Sequence, residues 1–379
     1  MTASKKFIIA FALSTTLLLS LITAGNVVFD AAGVFHISSS KFQQFVGSYA
    51  VRLQDAEFGL KMPPYERSIK IEIAETANAQ CYVTGSSRHM SVGGRNAPQI
   101  AKKCDSVMNL AVSGGSFEDL LIFMGIIIDK PNFQKLYIGV DPWTLSRQRG
   151  AGWVDFKERY YLAREKFGID PVSTFSQTDN FFQTIGNAIS LDYLIKSVKS
   201  YKSGNSNVSN LTIVEHLSKK HQVNSGANTL LSDGTLLYPG SYLEKTPPPD
   251  HLVGDGTFGL SSKVFDQVVI QELDTVIEKA QDSGIEVIMV LMPYHPKVFS
   301  CEHEWVCQVI VDAEGMIRVI ANQHGIEVLG SYNPKKVMVT REDFLDDVHI
   351  SGDSVEQALS PRNSPWQAPS TLDTFQRTN

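Results

Sequence analysis

The chain has 379 residues, 43% of them hydrophobic and 20% charged, with a formal net charge of -6 at pH 7. That much apolar material can bury a large core, as one large domain or two ordinary ones. The acidic balance and the lack of a long Lys/Arg cluster exclude a nucleic-acid footprint, so no nucleic acid is expected as a partner.

Residues 1–6, with Lys5 and Lys6, precede an uncharged run from Phe7 to Phe29. At about 1.5 Å per residue, that run crosses the roughly 30 Å of a bilayer's hydrocarbon core. It reads as a single transmembrane helix over 7–29, placing the protein in the inner or cytoplasmic membrane. The two lysines put residues 1–6 in the cytoplasm and the body on the extra-cytoplasmic side. A cleaved signal peptide is the rival reading, with Ile22-Thr23-Ala24 as the cleavage context. The apolar run continues through Val27, Val28 and Phe29, which favours the anchor.

Residues 30–73 read as a stalk, in which Phe42, Phe45, Val46, Tyr49 and Leu53 share one helical face. From Ile69, where Ile69, Ile71 and Ile73 alternate with polar neighbours as in a strand, strand and helix patterns follow in turn. They predict an α/β domain over 74–354 with a parallel sheet. The four cysteines form two local couples, Cys81 with Cys104 and Cys301 with Cys307, which suits disulfides in an oxidising compartment. Cys301, His303 and Cys307 lack a convincing fourth ligand, so no metal is expected, and no other cofactor.

The run Cys81 to Thr84 predicts a strand that stops at Gly85 and delivers Ser86, Ser87 and Arg88 to its carboxyl edge. A serine there can hold its hydroxyl and its own N–H toward one cleft. A second strand, Val107 to Val112, ends in Ser113-Gly114-Gly115. Ser116 and Asp119 make a capping box for a helix through Ile128, which leaves the glycine N–H groups facing a developing negative charge. A third strand, Lys135 to Val140, ends in Asp141-Pro142-Trp143.

Regular alternation then breaks from about 146 to 259, a helical or irregular insertion rich in aromatics. Trp153, Phe156, Tyr160, Tyr161, Phe181 and Phe182 are candidates for a cap over the cleft, or for core. The helix with Phe265, Val269, Leu273, Val276 and Ala280 on one face closes at Gly284 and leads into a buried strand, Ile285 to Met292. His295 follows at the strand's mouth. A helix over Val306 to Gln323 and a strand over Ile326 to Leu329 complete the sheet. The segment 355–379, polar from Ala358 with three prolines, reads as a disordered tail.

Near the end, Asp346 stands three residues before His349, so one loop carries an imidazole and a carboxylate to orient it. A strand-end serine, a Gly-Gly turn, Gly139-Val140-Asp141-Pro142 and this last pair, in that order, resemble the SGNH hydrolases, also called GDSL-like esterases. The resemblance runs from about Ala74 to Ser354 outside the insertion. It implies a three-layer, flavodoxin-like sheet flanked by helices, with Ser87, His349 and Asp346 as catalytic residues. It further implies an oxyanion hole from the N–H groups of Ser87 and Gly114. Two positions depart from the family pattern: Ser86 replaces an aspartate, and Asp141 stands where an asparagine donates to the oxyanion. A carboxylate beside a forming oxyanion raises the barrier unless it is protonated or turned toward Arg88 or another cation. Arg88, Asp141, Trp143 and His295 are candidate substrate contacts.

With its N-terminal anchor the chain looks like a membrane-anchored branch of that superfamily, whose members include proteins that acetylate alginate or serve teichoic-acid D-alanylation. The resemblance implies a serine esterase or O-acyltransferase acting on acyl esters of cell-envelope or exported polysaccharide, with a membrane acyl-donor protein as a partner. The alternative is a catalytically inactive glycan-binding or scaffold protein, motivated by Ser86 and Asp141.

Overall fold

The computed structural model describes residues 3–29, 39–54, 59–62, 66–94, 96–147, 153, 156–170, 188–191, 194–195, 198, 228–238, 265–300, 304–346 and 348–360. The chain divides into two compact units. One comprises Met1–Arg52, Pro63–Tyr65 and Pro171–Thr212; the other comprises Leu53–Met62, Glu66–Asp170 and Ile213–Asn379.

The first unit holds helix α1 (Ala3–Phe29), whose stretch Ser4–Val28 is long and apolar enough to cross a membrane. Phe7, Phe11, Leu17 and Leu21 stand exposed along it. Its one asparagine is the exception. Asn26 is fully buried, and its Nδ2 donates to the carbonyls of Ala188 (2.7 Å) and Ser190 (2.9 Å). A polar group inside an apolar helix is thereby satisfied by protein. Helix α2 (Ser39–Gln54) buries Val46, Tyr49 and Leu53, three members of the expected apolar face; the side chains of Phe42 and Phe45 lie outside the described residues.

The second unit is built on five parallel strands in the order β3-β2-β4-β7-β8: β2 (Cys81–Thr84), β3 (Val107–Asn109), β4 (Lys135–Gly139), β7 (Glu286–Leu291) and β8 (Glu327–Gly330). Numbered within the sheet this is 2-1-3-4-5, a doubly wound order that reverses between β2 and β4. Ligands of open α/β sheets settle at such a reversal, outside the carboxyl ends of the strands. The strands are apolar runs because both faces are covered. Cys81, Val83, Tyr137, Ile288 and Val290 pack with Ile100 of α4 (Pro98–Ala101) and with Val355, Ala358 and Leu359 of α9 (Gly352–Leu359). That short closing helix corrects the expected tail: the chain is ordered into the core through Leu359, and 361–379 lie outside the described residues.

The other face is packed by α5 (Phe117–Ile127), which is buried at every residue but Gly125 and Ile126 because α3 (Glu66–Thr76), α6 (Lys157–Phe167) and α7 (Gln267–Asp282) surround it. Its capping box is present, with Ser116 and Asp119 exchanging side-chain and backbone hydrogen bonds. Helix α3 (Glu66–Thr76) corrects the strand expected from the isoleucine alternation. Its buried set is Ile69, Lys70, Ile71, Ile73 and Ala74, which includes a lysine. The Lys70 ammonium donates to the carbonyls of Asn109 (2.7 Å) and Gly234 (2.5 Å), and burial lowers its pKa to about 8.

Part of the segment 146–259 is core among the described residues. Helix α6 (Lys157–Phe167) belongs to the second unit's core, where Trp153 and Tyr160 are buried with ring centroids 4.7 Å apart. Glu272 of α7 (Gln267–Asp282) takes Arg147 at 3.0 Å and Arg164 at 2.9 Å, tying α6 to α7. Phe181 and Phe182 lie outside the described residues. Strand β5 (Thr229–Leu230) pairs antiparallel with both β1 (Leu60–Lys61) and β6 (Leu236–Leu237), forming a separate small sheet.

Cys81 and Cys104 form a disulfide with Cα atoms 6.0 Å apart, closing a loop of sequence separation 23. A loop of that length contributes about 3 kcal/mol by restricting the unfolded chain. Cys307, in α8 (Glu304–Gln323), is also disulfide-bonded, which removes its thiolate as a metal ligand; Cys301 and His303 lie outside the described residues.

Candidate active site

Gly85 ends β2 with φ +138°, a conformation that favours glycine, and turns the chain so that Ser87 opens a short helical turn at the sheet edge. Ser86 caps that turn, its Oγ accepting the Arg88 N–H at 3.2 Å. Ser86 therefore has a local backbone role.

The loop carrying Asp346 and His349 folds back over the same edge. A bridge between Phe344 and Ile350, with the Leu345 N–H donating to the His349 carbonyl at 2.8 Å, closes it into a tight hairpin. Within it Asp346 Oδ1 accepts the N–H groups of Val348 (2.9 Å) and His349 (2.8 Å), and Oδ2 lies 2.7 Å from His349 Nδ1. His349 Nε2 lies 2.9 Å from Ser87 Oγ. Serine, histidine and aspartate are thus hydrogen-bonded in series. Burial works to raise the Asp346 pKa, but the hydrogen bond and charge of His349 and the two backbone donors outweigh it and bring it to about 2. A carboxylate that stays ionised fixes the Nδ1–H tautomer, leaving Nε2 to accept the serine proton.

The turn after β3 adjoins this serine. The Val112 N–H donates to the Gly85 carbonyl at 3.0 Å, and a Cβ on Gly115 would lie 2.3 Å from that same carbonyl oxygen and 3.0 Å from Ser86 Cα. Gly114 is exposed with φ +60°. Among the described residues, neither the Ser87 N–H nor the Gly114 N–H has a hydrogen-bond partner. An unpaired N–H on the residue that carries the hydroxyl can receive a developing oxyanion, and the turn that carries Gly114 packs against the preceding residues Gly85 and Ser86.

Three of the four candidate substrate contacts occupy the interior. Arg88 is buried and gathers the strand ends: Nη1 meets Asp141 Oδ1 at 2.5 Å, Nη2 donates to the carbonyls of Met292 and Pro293, and Nε donates to Val348 of the hairpin at 3.3 Å. Its guanidinium carbon sits 3.8 Å from the Tyr294 ring centroid. Asp141 is fully buried and turned toward Arg88, so its charge is neutralised there. His295 is also buried, its Nδ1 accepting the Lys297 N–H at 3.1 Å and its ring edge-on to Phe344. All three are withdrawn from solvent, and the Arg88–Asp141 pair ties the strand ends together. Trp143 is half-buried at the rim, its Nε1 donating to the Gly115 carbonyl at 3.0 Å.

Two further residues escaped the sequence reading. His89 is fully buried in a slot between Gly85 and Gly139, where a Cβ on Gly139 would lie 2.3 Å from the imidazole. Its Nε2 contacts the Val290 carbonyl at 3.2 Å, and burial lowers its pKa to about 4. The signal for it was the pair of strand-end glycines, whose missing side chains make the slot. Tyr238, just after β6, is half-buried with its ring centroid 5.8 Å from that of His349. It comes from the insertion, where no periodicity pointed to it.

No protein-family model matches the chain, and no curated protein matches it.

Proposed function

We propose that the second unit is a serine-dependent acyl-ester enzyme of SGNH hydrolase type, with the three-layer flavodoxin-like architecture that this implies. In this reading α1 anchors it as a single-pass protein of the inner membrane, with the body extra-cytoplasmic; the Cys81–Cys104 disulfide favours that compartment. Its substrates are acyl esters of cell-envelope or exported polysaccharide, with a membrane protein as the acyl donor where it acts as a transferase.

The observation that carries the reading is the series Ser87 Oγ, His349 Nε2, His349 Nδ1, Asp346 Oδ2, with contacts of 2.9 and 2.7 Å. In the first half-reaction Ser87 Oγ attacks the acyl carbonyl carbon and its proton passes to His349 Nε2. The oxyanion is received by the Ser87 and Gly114 N–H groups, each worth about 3 kcal/mol when well placed. The tetrahedral species collapses, the leaving alcohol takes the proton from His349, and Ser87 is acylated. In the second, a water or sugar hydroxyl loses its proton to His349 and bonds the acyl carbon, the Ser87 Oγ–acyl bond breaks and Ser87 takes the proton back; water gives an esterase and a sugar hydroxyl a transferase. Asp141, held by Arg88, adds no net charge against the oxyanion. That weakens the main motive for the non-catalytic glycan-binding alternative.

The test uses detergent-solubilised full-length protein with an O-acetylated exported polysaccharide and, separately, with its deacetylated form and an acetyl donor. Acetate release or gain that is lost in Ser87→Ala supports the reading; either activity surviving unchanged in Ser87→Ala contradicts it.

A further inference from the structure

The Gly114 N–H is an unusual donor to rely on, because glycine at φ +60° leaves the peptide before it free to flip at little steric cost. That peptide unit also carries the Ser113 carbonyl. In a planar trans unit the C=O and the following N–H point in opposite directions, so whatever grips one aims the other. Arg67 grips it: Nη2 donates to the Ser113 carbonyl at 2.7 Å.

The grip is itself held. Arg67 Nε and Nη2 fork onto Asp119 at 2.9 and 3.2 Å, and Asp119 is fixed as the capping residue of α5, accepting the Ser116 N–H at 3.1 Å. The peptide on the other side of Ser113 is fixed as well. Glu66 accepts the Ser113 N–H with one carboxylate oxygen and the Ser113 hydroxyl with the other, the latter at 2.7 Å; the Val112 carbonyl accepts the Gly115 N–H at 2.9 Å. Adjacent residues at the start of α3 therefore hold the two peptide planes that flank Ser113. A plain ion pair joining α3 to α5 needs only the Asp119 fork; the additional reach to this one carbonyl is what such a pair leaves unexplained.

We infer that Arg67 is a positioning residue for the oxyanion hole, locking the Ser113–Gly114 peptide so that the Gly114 N–H faces the site beside Ser87. The inference rests on the acyl-transfer reading above. Arg67 touches no reacting atom and acts through Gly114, with Glu66 steadying the preceding peptide.

The probe is p-nitrophenyl acetate, hydrolysed by detergent-solubilised full-length protein, for wild type, Arg67→Gln and Arg67→Lys. Removing an oxyanion donor outright costs about 10²–10³-fold in kcat, and a donor left free to flip loses part of that. The expected result is a fall in kcat of about 10- to 100-fold for Arg67→Gln, with KM within about twofold and the pH profile of the reaction unmoved. Should Arg67→Gln not fold, Arg67→Lys decides, since it keeps the charge beside Asp119 but gives up the fork that reaches both acceptors. A folded variant with wild-type kcat overturns the inference, and so does a loss expressed in KM or in a displaced pH profile. If wild type itself neither hydrolyses the ester nor acylates at Ser87, the acyl-transfer reading falls and takes this inference with it.

Discussion

Arg88 Nη1 lies 2.5 Å from Asp141 Oδ1, both side chains withdrawn from solvent at the carboxyl edge of the sheet. The contact brings the turn after β2 against the turn after β4, and the remaining guanidinium donors extend it to the end of β7 and to the hairpin of His349. An arginine here is a structural hub because its five donors diverge in one plane and its charge persists when buried.

Removing one partner of this pair strands the other. Arg88 stays charged, so Asp141→Ala should lower unfolding stability by about 3–5 kcal/mol. Urea unfolding followed by tryptophan fluorescence measures this directly. A loss below about 1 kcal/mol would mean that the three carbonyls and Tyr294 suffice to hold Arg88.

The slot for His89 gives a prediction with its own control. A methyl at Gly139 would stand 2.3 Å from the imidazole and 2.6 Å from the Thr84 carbonyl, so Gly139→Ala should cost about 2 kcal/mol or more by overpacking. If the imidazole is the main obstacle, Gly139→Ala combined with His89→Ala should lose less than the sum of the single variants, with a coupling of about 1 kcal/mol or more. Additive losses would assign the strain to the backbone contact instead.

Stability should fall with pH in two stages. In the unfolded chain His89 takes up a proton near pH 6.5; in the folded chain burial and Arg88 resist it down to about 4, against the pull of Asp141. Between those values the unfolded state binds more protons, so acidification from pH 7 to 4 should remove on the order of 3 kcal/mol. Asp346, lowered to about 2, contributes above its unfolded value of 3.8 and is lost as pH drops toward 2. Chemical denaturation at fixed pH values should show the first loss in wild type and a flattened profile in His89→Asn. An unchanged profile in that variant would place the acid sensitivity elsewhere.

Much of this was legible in the chain. The strands at Cys81, Lys135 and Glu286 are apolar runs bounded by turn residues, and Ser116 with Asp119 announces α5, because such signals are local. Helix α3 was not legible: Lys70 counts as polar in any pattern, yet it is buried on two carbonyls supplied from positions 109 and 234. Asp346 and His349 were readable as a pair because they share a hairpin. The role of Arg88 was not, since Met292, Pro293 and Val348 lie more than 200 positions away. Tyr238 was hidden for the same reason, reaching His349 through the fold and not through the sequence.

The central claim is that Ser87 is a nucleophile activated by His349. Intact-mass and peptide-mapping analysis after treatment with a fluorophosphonate probe tests it most directly, on folded full-length wild type, Ser87→Ala and His349→Ala. The account expects a single adduct on Ser87 in wild type, none in Ser87→Ala, and labelling slowed by about 10³-fold or more in His349→Ala. Folded wild type with Ser87 unmodified, in a reaction where a known serine esterase is fully labelled, would contradict it.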